Sequence, residues 1–258
     1  MVKINQFKKY LETLSVSENT RIAYIDGLKC FLKYFTTVDK TSVLAFKAIL
    51  ISKYKPETIN LRIGAINKYL DWEGKAELKI SQVRVQRANF LENVISLADY
   101  KHLCNCLKSD GYWDWYFLVR FLACTGARIS EALKFNAEAV AMGYFDIYGK
   151  GGKIRRIYIP KPLLKEAMNW KTSGILFPWK ASTINGKLKD FAVKYHIDPK
   201  VMHPHSFRHF FGKSFIEKYK DLALLADLMG HESIETTRIY LRRSSAEQAA
   251  IVNKVVTW

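Results

Sequence analysis

Apolar side chains recurring three and four residues apart dominate this chain, and that spacing admits little but helices. Tyr24, Leu28, Phe31, Leu32 and Phe35 form one such stripe, and Ile59, Ile63, Ile66 and Leu70 form another. Residues spaced in this way share one helix face, and that face must be buried against a neighbour. Ser17-Glu18-Asn19-Thr20 supplies capping groups ahead of the first stripe. Pro56-Glu57 opens the second, where a proline loses no hydrogen bond. With a short helix over residues 5–14 and another over about 42–53, residues 1–85 are expected to form a compact four-helix unit. Its outward faces carry Arg21, Lys29, Lys33, Arg62 and Lys68.

Residues 74–94 lose the helical period. Lys75, Lys79, Arg84 and Arg87 make the stretch basic, so it reads as a linker able to follow a phosphate backbone. The domain boundary is expected near residue 88, with 86–94 as the linker proper and 95–258 as a second domain. Ser96 with Asp99 starts a helix with a capping-box pattern, and residues 113–124 are apolar almost all round, as in a buried helix. Residues 125–131, Thr-Gly-Ala-Arg-Ile-Ser-Glu, break that helix and begin the next through Leu133 and Phe135. Two β-rich runs, 144–148 and 153–159, flank Gly149-Lys150-Gly151-Gly152 and predict a hairpin. Helices are expected at about 161–171 and 181–195, with a final amphipathic helix at 245–256 that packs in cis or on a neighbouring subunit. The expected fold is therefore mainly α, with a small antiparallel β-sheet.

Charge narrows the function. The 258 residues include 41 Lys and Arg against 24 Asp and Glu, a net charge of +17. An excess of that size points to a polyanionic partner. No run of eighteen apolar residues occurs, so no membrane span is expected. The first residues, MVKINQFKKYLETL, lack the apolar core of a signal peptide, which places the protein in the cytoplasm. Of the four cysteines, Cys30 and Cys124 lie in apolar surroundings, while Cys104 and Cys106 point to different faces of a helix. No second ligand pair stands at zinc spacing, so the thiols are read as structural and no metal or cofactor is expected.

Chemistry concentrates in residues 203–240. Pro204 starts a helix on which His205 and Arg208, three apart, share a face. Gly230-His231-Glu232 closes a helix, and Tyr240 follows nine residues after His231. A cationic pair near a helix start suits an anion. A tyrosine is a poor nucleophile at its ordinary pKa of about 10 and needs a proton acceptor. Phosphoryl transfer onto it also needs fixed cations around the non-bridging oxygens and an acid for the leaving 5′ oxygen. Arg128 and Arg208 suit the clamp, and Lys150 at the hairpin tip suits the acid. His205 suits a base or hydrogen-bonding partner, His231 would orient the phosphate, and Tyr240 would attack it.

In this order the residues resemble the tyrosine recombinase (phage-type integrase) family, especially its small Xer-like members. TGARISEAL is similar to the family's first-arginine motif, GKGGK to its hairpin-lysine motif, HPHSFRH to its His-x-x-Arg motif, and GHESIETTRIY to its final His and Tyr. The likeness covers residues 96–241, and SENTRIAYIDGLKCFLKYF resembles the family's N-terminal core-binding domain. The resemblance implies a SAM-like four-helix core-binding domain and a catalytic domain that close round double-stranded DNA as a C-shaped clamp. It implies a catalytic set of Arg128, Lys150, His205, Arg208, His231 and Tyr240, with Glu131 bracing Arg128 and Lys153 as the alternative lysine. It further implies a 3′-phosphotyrosyl intermediate, exchange of strands in pairs within a tetramer, and no metal. Arg21, Lys29, Arg62, Lys68, Arg84 and Arg87 are the candidate DNA contacts. Two departures stand out. Leu241-Arg242-Arg243 follows the tyrosine where the family often has Thr-His, and no arm-binding domain precedes residue 1, which favours a simple-site recombinase. Competing functions are a type IB topoisomerase-like DNA relaxing enzyme and a non-catalytic DNA-binding regulator.

Overall fold

The computed structural model describes residues 2–85, 93–148, 154–168, 170–171, 173–231, 233–241, 249 and 252–256. The chain divides into two compact units, Met1–Arg87 and Ala88–Trp258. Among the described residues, no helix is long and apolar enough to cross a membrane.

The first unit holds α1 (Val2–Glu12), α2 (Glu18–Leu32), α3 (Lys40–Lys53) and α4 (Pro56–Trp72). Ser17 caps α2 by accepting from the Thr20 N–H, and Asp39 with Ser42 forms a reciprocal capping box on α3. Each satisfies first-turn N–H groups that have no partner inside the helix. Leu28 and Phe31 from the first stripe and Ile59, Ile63, Ile66 and Leu70 from the second meet in one core with Phe7, Phe46 and Tyr69. Gly27 lets α2 pass close over Ala65 of α4, where a side chain would collide.

Residues 74–85 are not a free linker. Asn60 exchanges two hydrogen bonds with the Val83 backbone, at 2.9 and 2.8 Å. Asn67 does the same with Ile80, at 2.9 and 3.1 Å. A 3-10 turn, Ala76–Leu78, opens the stretch, and beyond it α4 side chains bond the backbone of Ile80 and Val83. Of the expected linker 86–94, residues 86–92 lie outside the described residues, as does Arg87.

The second unit runs α5 (Leu97–Ser109), α6 (Trp113–Thr125), α7 (Ile129–Ala132), α8 (Ala137–Met142), β1 (Tyr144–Tyr148), β2 (Ile154–Tyr158), α9 (Lys161–Ala167), α10 (Ala181–Lys194), α11 (Pro204–Lys218), α12 (Leu222–Met229) and α13 (Ile234–Thr237). A 3-10 turn, Arg238–Leu241, follows. The two strands pair antiparallel with Tyr144 opposite Tyr158 and Tyr148 opposite Ile154. The hairpin tip, 149–153, lies outside the described residues, and Lys150 and Lys153 with it. Helix α6 is buried on most sides, as its composition predicts, and its Phe117, Leu118, Phe121 and Leu122 join Phe135, Phe177, Phe191 and Phe207 in the main core. Helix α8 has no counterpart in the sequence reading. Of the expected final helix, residues 249 and 252–255 are helical and most of the remainder lies outside the described residues.

Candidate active site

Two helices end at the site, each on a glycine in the left-handed region: α6 at Gly126 (φ 63°) and α12 at Gly230 (φ 61°). Glycine adopts that conformation without the steric penalty other residues pay. The last carbonyls of a helix have no partner within it and carry the negative end of its dipole. Three arginines occupy three successive carbonyls at the end of α12. Arg155 donates from Nε and a terminal nitrogen to Leu228 O at 3.0 and 2.6 Å. Arg208 donates to Met229 O at 2.6 Å, and Arg128 to Gly230 O at 2.8 Å. Arg208 also reaches Gly126 O, at the end of α6, at 2.6 Å. Cations from three distant points of the sequence are thereby gathered at two helix ends.

Glu131 holds the arrangement from the other side. Its carboxylate accepts from the Arg128 backbone N–H at 2.7 Å and the Arg128 guanidinium at 2.9 Å. It also accepts from Arg155 at 2.6 Å. Burial alone would raise its pKa. The Arg128 N–H bond and the Arg155 charge outweigh that and hold the carboxyl below the usual range. Burial, with Arg128 and Arg155 nearby, draws the Arg208 guanidinium down to about 10, so it stays cationic at neutral pH.

Helix α11 carries the histidines. His203 caps it, Nδ1 accepting from the Ser206 N–H at 3.1 Å, with Pro204 in the first turn. His205 is exposed, and its ring lies 6.0 Å from that of His209. Desolvation and the Arg208 and Arg128 charges hold its pKa low. Burial, then His205 and Arg208, pull His209 down to about 4. Burial, then Arg208 and Arg128, do the same to His231. Both imidazoles are neutral at physiological pH. His231 shares a hydrogen bond with Thr237 Oγ1 through Nδ1 at 2.7 Å.

Tyr240 sits inside this group, 5% exposed. Its hydroxyl is 3.0 Å from His209 Nδ1, and its ring is parallel to that of His231 at 6.4 Å. Burial pushes its pKa up to about 12 against the opposing pull of Arg208 and Arg128. The phenol is therefore protonated in the free protein. The structure thus brings Arg128, Glu131, Arg208, His231 and Tyr240 together, with His205 at the rim. Arg155 and His209 were not singled out in the sequence. Arg155 differs from its exposed neighbour Arg156 only in strand parity, and His209 lies one turn beyond His205 on the same helix.

The basic residues of the first unit are less uniform. Lys29 and Arg84 are exposed, although Lys29 approaches Asp26 at 3.7 Å. Arg21 pairs with Glu18. Arg62 does not stand on a free face: its guanidinium lies 3.8 Å from the Tyr54 ring centre and donates to Cys30 Sγ. Lys68 is half-buried beside Tyr10.

The family model described as "Phage integrase family" matches residues 93–247. The chain belongs to the phage integrase family. As a tyrosine recombinase of that family it is an enzyme of site-specific recombination. The chain is 29% identical over 277 residues to the tyrosine recombinase XerA of Pyrococcus furiosus, covering 98% of this chain and 96% of the relative. It is 27% identical over 286 residues to a TnP I resolvase of Bacillus thuringiensis, covering 97% of each. Among solved structures, a Tn1549 transposon integrase in complex with circular intermediate DNA superposes with a TM-score of 0.72 at 15% identity, covering 97% of this chain and 98% of that one. A lambda integrase dimer bound to a COC′ core site also gives 0.72, at 14% identity, covering 93% and 94%. At such identities the likeness is one of fold. The integrase fold here is mostly helical, with the two-stranded sheet beside the site.

Proposed function

We propose that this recombinase cuts and rejoins double-stranded DNA through a 3′-phosphotyrosyl intermediate on Tyr240. The observation that carries the proposal is a buried tyrosine hydroxyl surrounded by two guanidiniums and neutral imidazoles at the end of α12. Arg128 and Arg208 would hold the scissile phosphate. Among the described residues, protein carbonyls take only two of the five N–H groups of Arg208. The cations are fixed before DNA arrives, so the charge that grows on the non-bridging oxygens is met without reorganisation. Glu131 would hold Arg128 in its rotamer, and His205 and His231 would flank the phosphate. Lys150, or Lys153, would give the leaving 5′ oxygen its proton. The arginines supply the charge, so no metal enters the proposal.

Residues 1–85 would form the core-binding domain that grips the duplex together with the catalytic unit, using the basic residues of the first unit and, in the connecting stretch, Arg87. Four copies on paired sites would exchange strands in pairs, in the cytoplasm. The test is covalent capture on a nicked suicide duplex in EDTA. Wild type should form an adduct, and Tyr240→Phe should bind the DNA equally well and form none. An adduct persisting in the Phe variant would refute Tyr240 as nucleophile.

A further inference from the structure

We infer that His209 takes the proton from Tyr240 as the tyrosine attacks, and returns it when the strand is rejoined. The inference rests on Tyr240 being the nucleophile. Among the described residues, His209 is the histidine with a ring nitrogen at hydrogen-bond distance from the Tyr240 hydroxyl, at 3.0 Å, with ring centres 5.7 Å apart. The His231 ring lies parallel to the phenol, but its Nδ1 is held by Thr237. His205 stands one turn earlier on α11, its ring 6.0 Å from that of His209.

The contact is built into the fold. Gly212 follows His209 by three residues and so occupies the same helix face. Having no side chain, it lets the Tyr240 ring lie directly against α11; a Cβ there would fall 2.6 Å from two ring atoms. Ile216, Leu225 and Met229 are buried in one cluster with the ring. The hydroxyl is therefore delivered to one place, and His209 Nδ1 is at that place.

The proton balance closes without a co-reactant. With Nδ1 accepting, His209 carries its hydrogen on Nε2. As the bond from the tyrosine oxygen to phosphorus forms and the P–O5′ bond breaks, the O–H bond of Tyr240 breaks and its proton moves to Nδ1. The 5′ oxygen takes its proton from a separate acid. In rejoining, the 5′ hydroxyl attacks phosphorus, the tyrosine oxygen departs, and Nδ1 gives the proton back. The groups that face this pair are His203, His205 and Arg208 at the start of α11 and along it, His231 at the end of α12, and Arg128. In the free protein burial raises the tyrosine against the pull of Arg208 and Arg128, while burial, His205 and Arg208 lower His209, so the proton stays on the tyrosine. A DNA phosphate between the arginines offsets their charge and makes His209 more basic, while bonding to phosphorus makes the phenol oxygen more acidic. The proton moves with the attack and not before it.

The test is single-turnover cleavage of the suicide duplex from about pH 6 to 10, alongside DNA binding and a thermal melt. His209→Gln keeps a hydrogen-bond acceptor that cannot take a proton. It should bind DNA as wild type does and cleave about 10²–10⁴-fold more slowly, with a rate rising roughly tenfold per pH unit as hydroxide replaces the imidazole. Where it folds, His209→Phe should show the same loss. His205→Gln should keep the wild-type pH profile whatever its rate. A His209→Gln rate within about threefold of wild type would overturn the inference. So would a slow variant with the wild-type pH profile, which would reduce His209 to an anchor. Tyr240→Phe separates the two proposals: an adduct there refutes the nucleophile, whereas its loss there with full speed in His209→Gln refutes His209 alone.

Discussion

Replacing Gly212 by alanine should separate folding from chemistry. The new Cβ would lie 2.6 Å from Cε1 and Cζ and 2.9 Å from Cε2 of Tyr240, where carbon atoms in contact normally stand about 3.5–4.0 Å apart. Either the ring or the helix must retreat by about 1 Å. Helix α11 is held by Arg208, which ties it to the ends of α6 and α12, so the ring should yield. In a helix, alanine is favoured over glycine by about 0.5–1 kcal/mol, while overpacking costs about 1–3 kcal/mol. The difference is a loss of at most about 2.5 kcal/mol, or roughly 5–10 °C in Tm for a domain of this size. The hydroxyl, however, would leave the 3.0 Å contact with His209, and a misplacement of about 1 Å costs about 10² in rate. Covalent adduct formation on the suicide duplex, gel-shift affinity and a thermal melt measure the three quantities. A folded Gly212→Ala that cleaves within about threefold of wild type would refute the view that α11 fixes the nucleophile.

Arg155→Met should remove the buried Arg155–Glu131 pair and both bonds to Leu228 O, destabilising the protein by about 3 kcal/mol by denaturant titration. The depressed Glu131 carboxyl stabilises the fold fully above the ordinary carboxylate pKa, and that contribution fades as pH falls below it. The gap between wild type and variant should therefore narrow in acid; a gap that is flat or that widens would refute the pairing account. If much of the +17 charge faces DNA, affinity should fall by roughly three decades or more between 50 and 200 mM salt for six to ten phosphate contacts. A flat salt response in a filter-binding titration would remove the clamp.

Local signals carried much of the fold into the sequence. The stripes of α2 and α4, the caps at Ser17 and Ser96, and the β-rich runs that became β1 and β2 depend on neighbours in sequence, so spacing revealed them. Helix α8 escaped because six residues give too little period, leaving Asn136, which caps Ala139, as its local mark. Residues 74–85 escaped because the 3-10 turn Ala76–Leu78 is too short to show a period, and Ile80 and Val83 are held by Asn67 and Asn60, which lie elsewhere in the chain. The site divides along the same line. Arg128, Arg208, His231 and Tyr240 stood in recognisable motifs. The link from His209 to Tyr240 spans 31 residues and that from Arg155 to Leu228 spans 73, and neither distance leaves a trace in local composition. Strand alternation could have shown that one of Arg155 and Arg156 faces inward, but not which.

The three arginines at the end of α12 bear on how such a protein would decay. Arg128, Arg155 and Arg208 each close a helix-end carbonyl, so selection for folding alone retains them. A descendant that had abandoned strand cleavage and kept DNA binding would lose Tyr240 and His209 first, and would still present an intact cationic cluster. Among diverged copies the arginines would therefore mark ancestry and, if Tyr240 and His209 act as proposed, the tyrosine–histidine pair would mark a working enzyme.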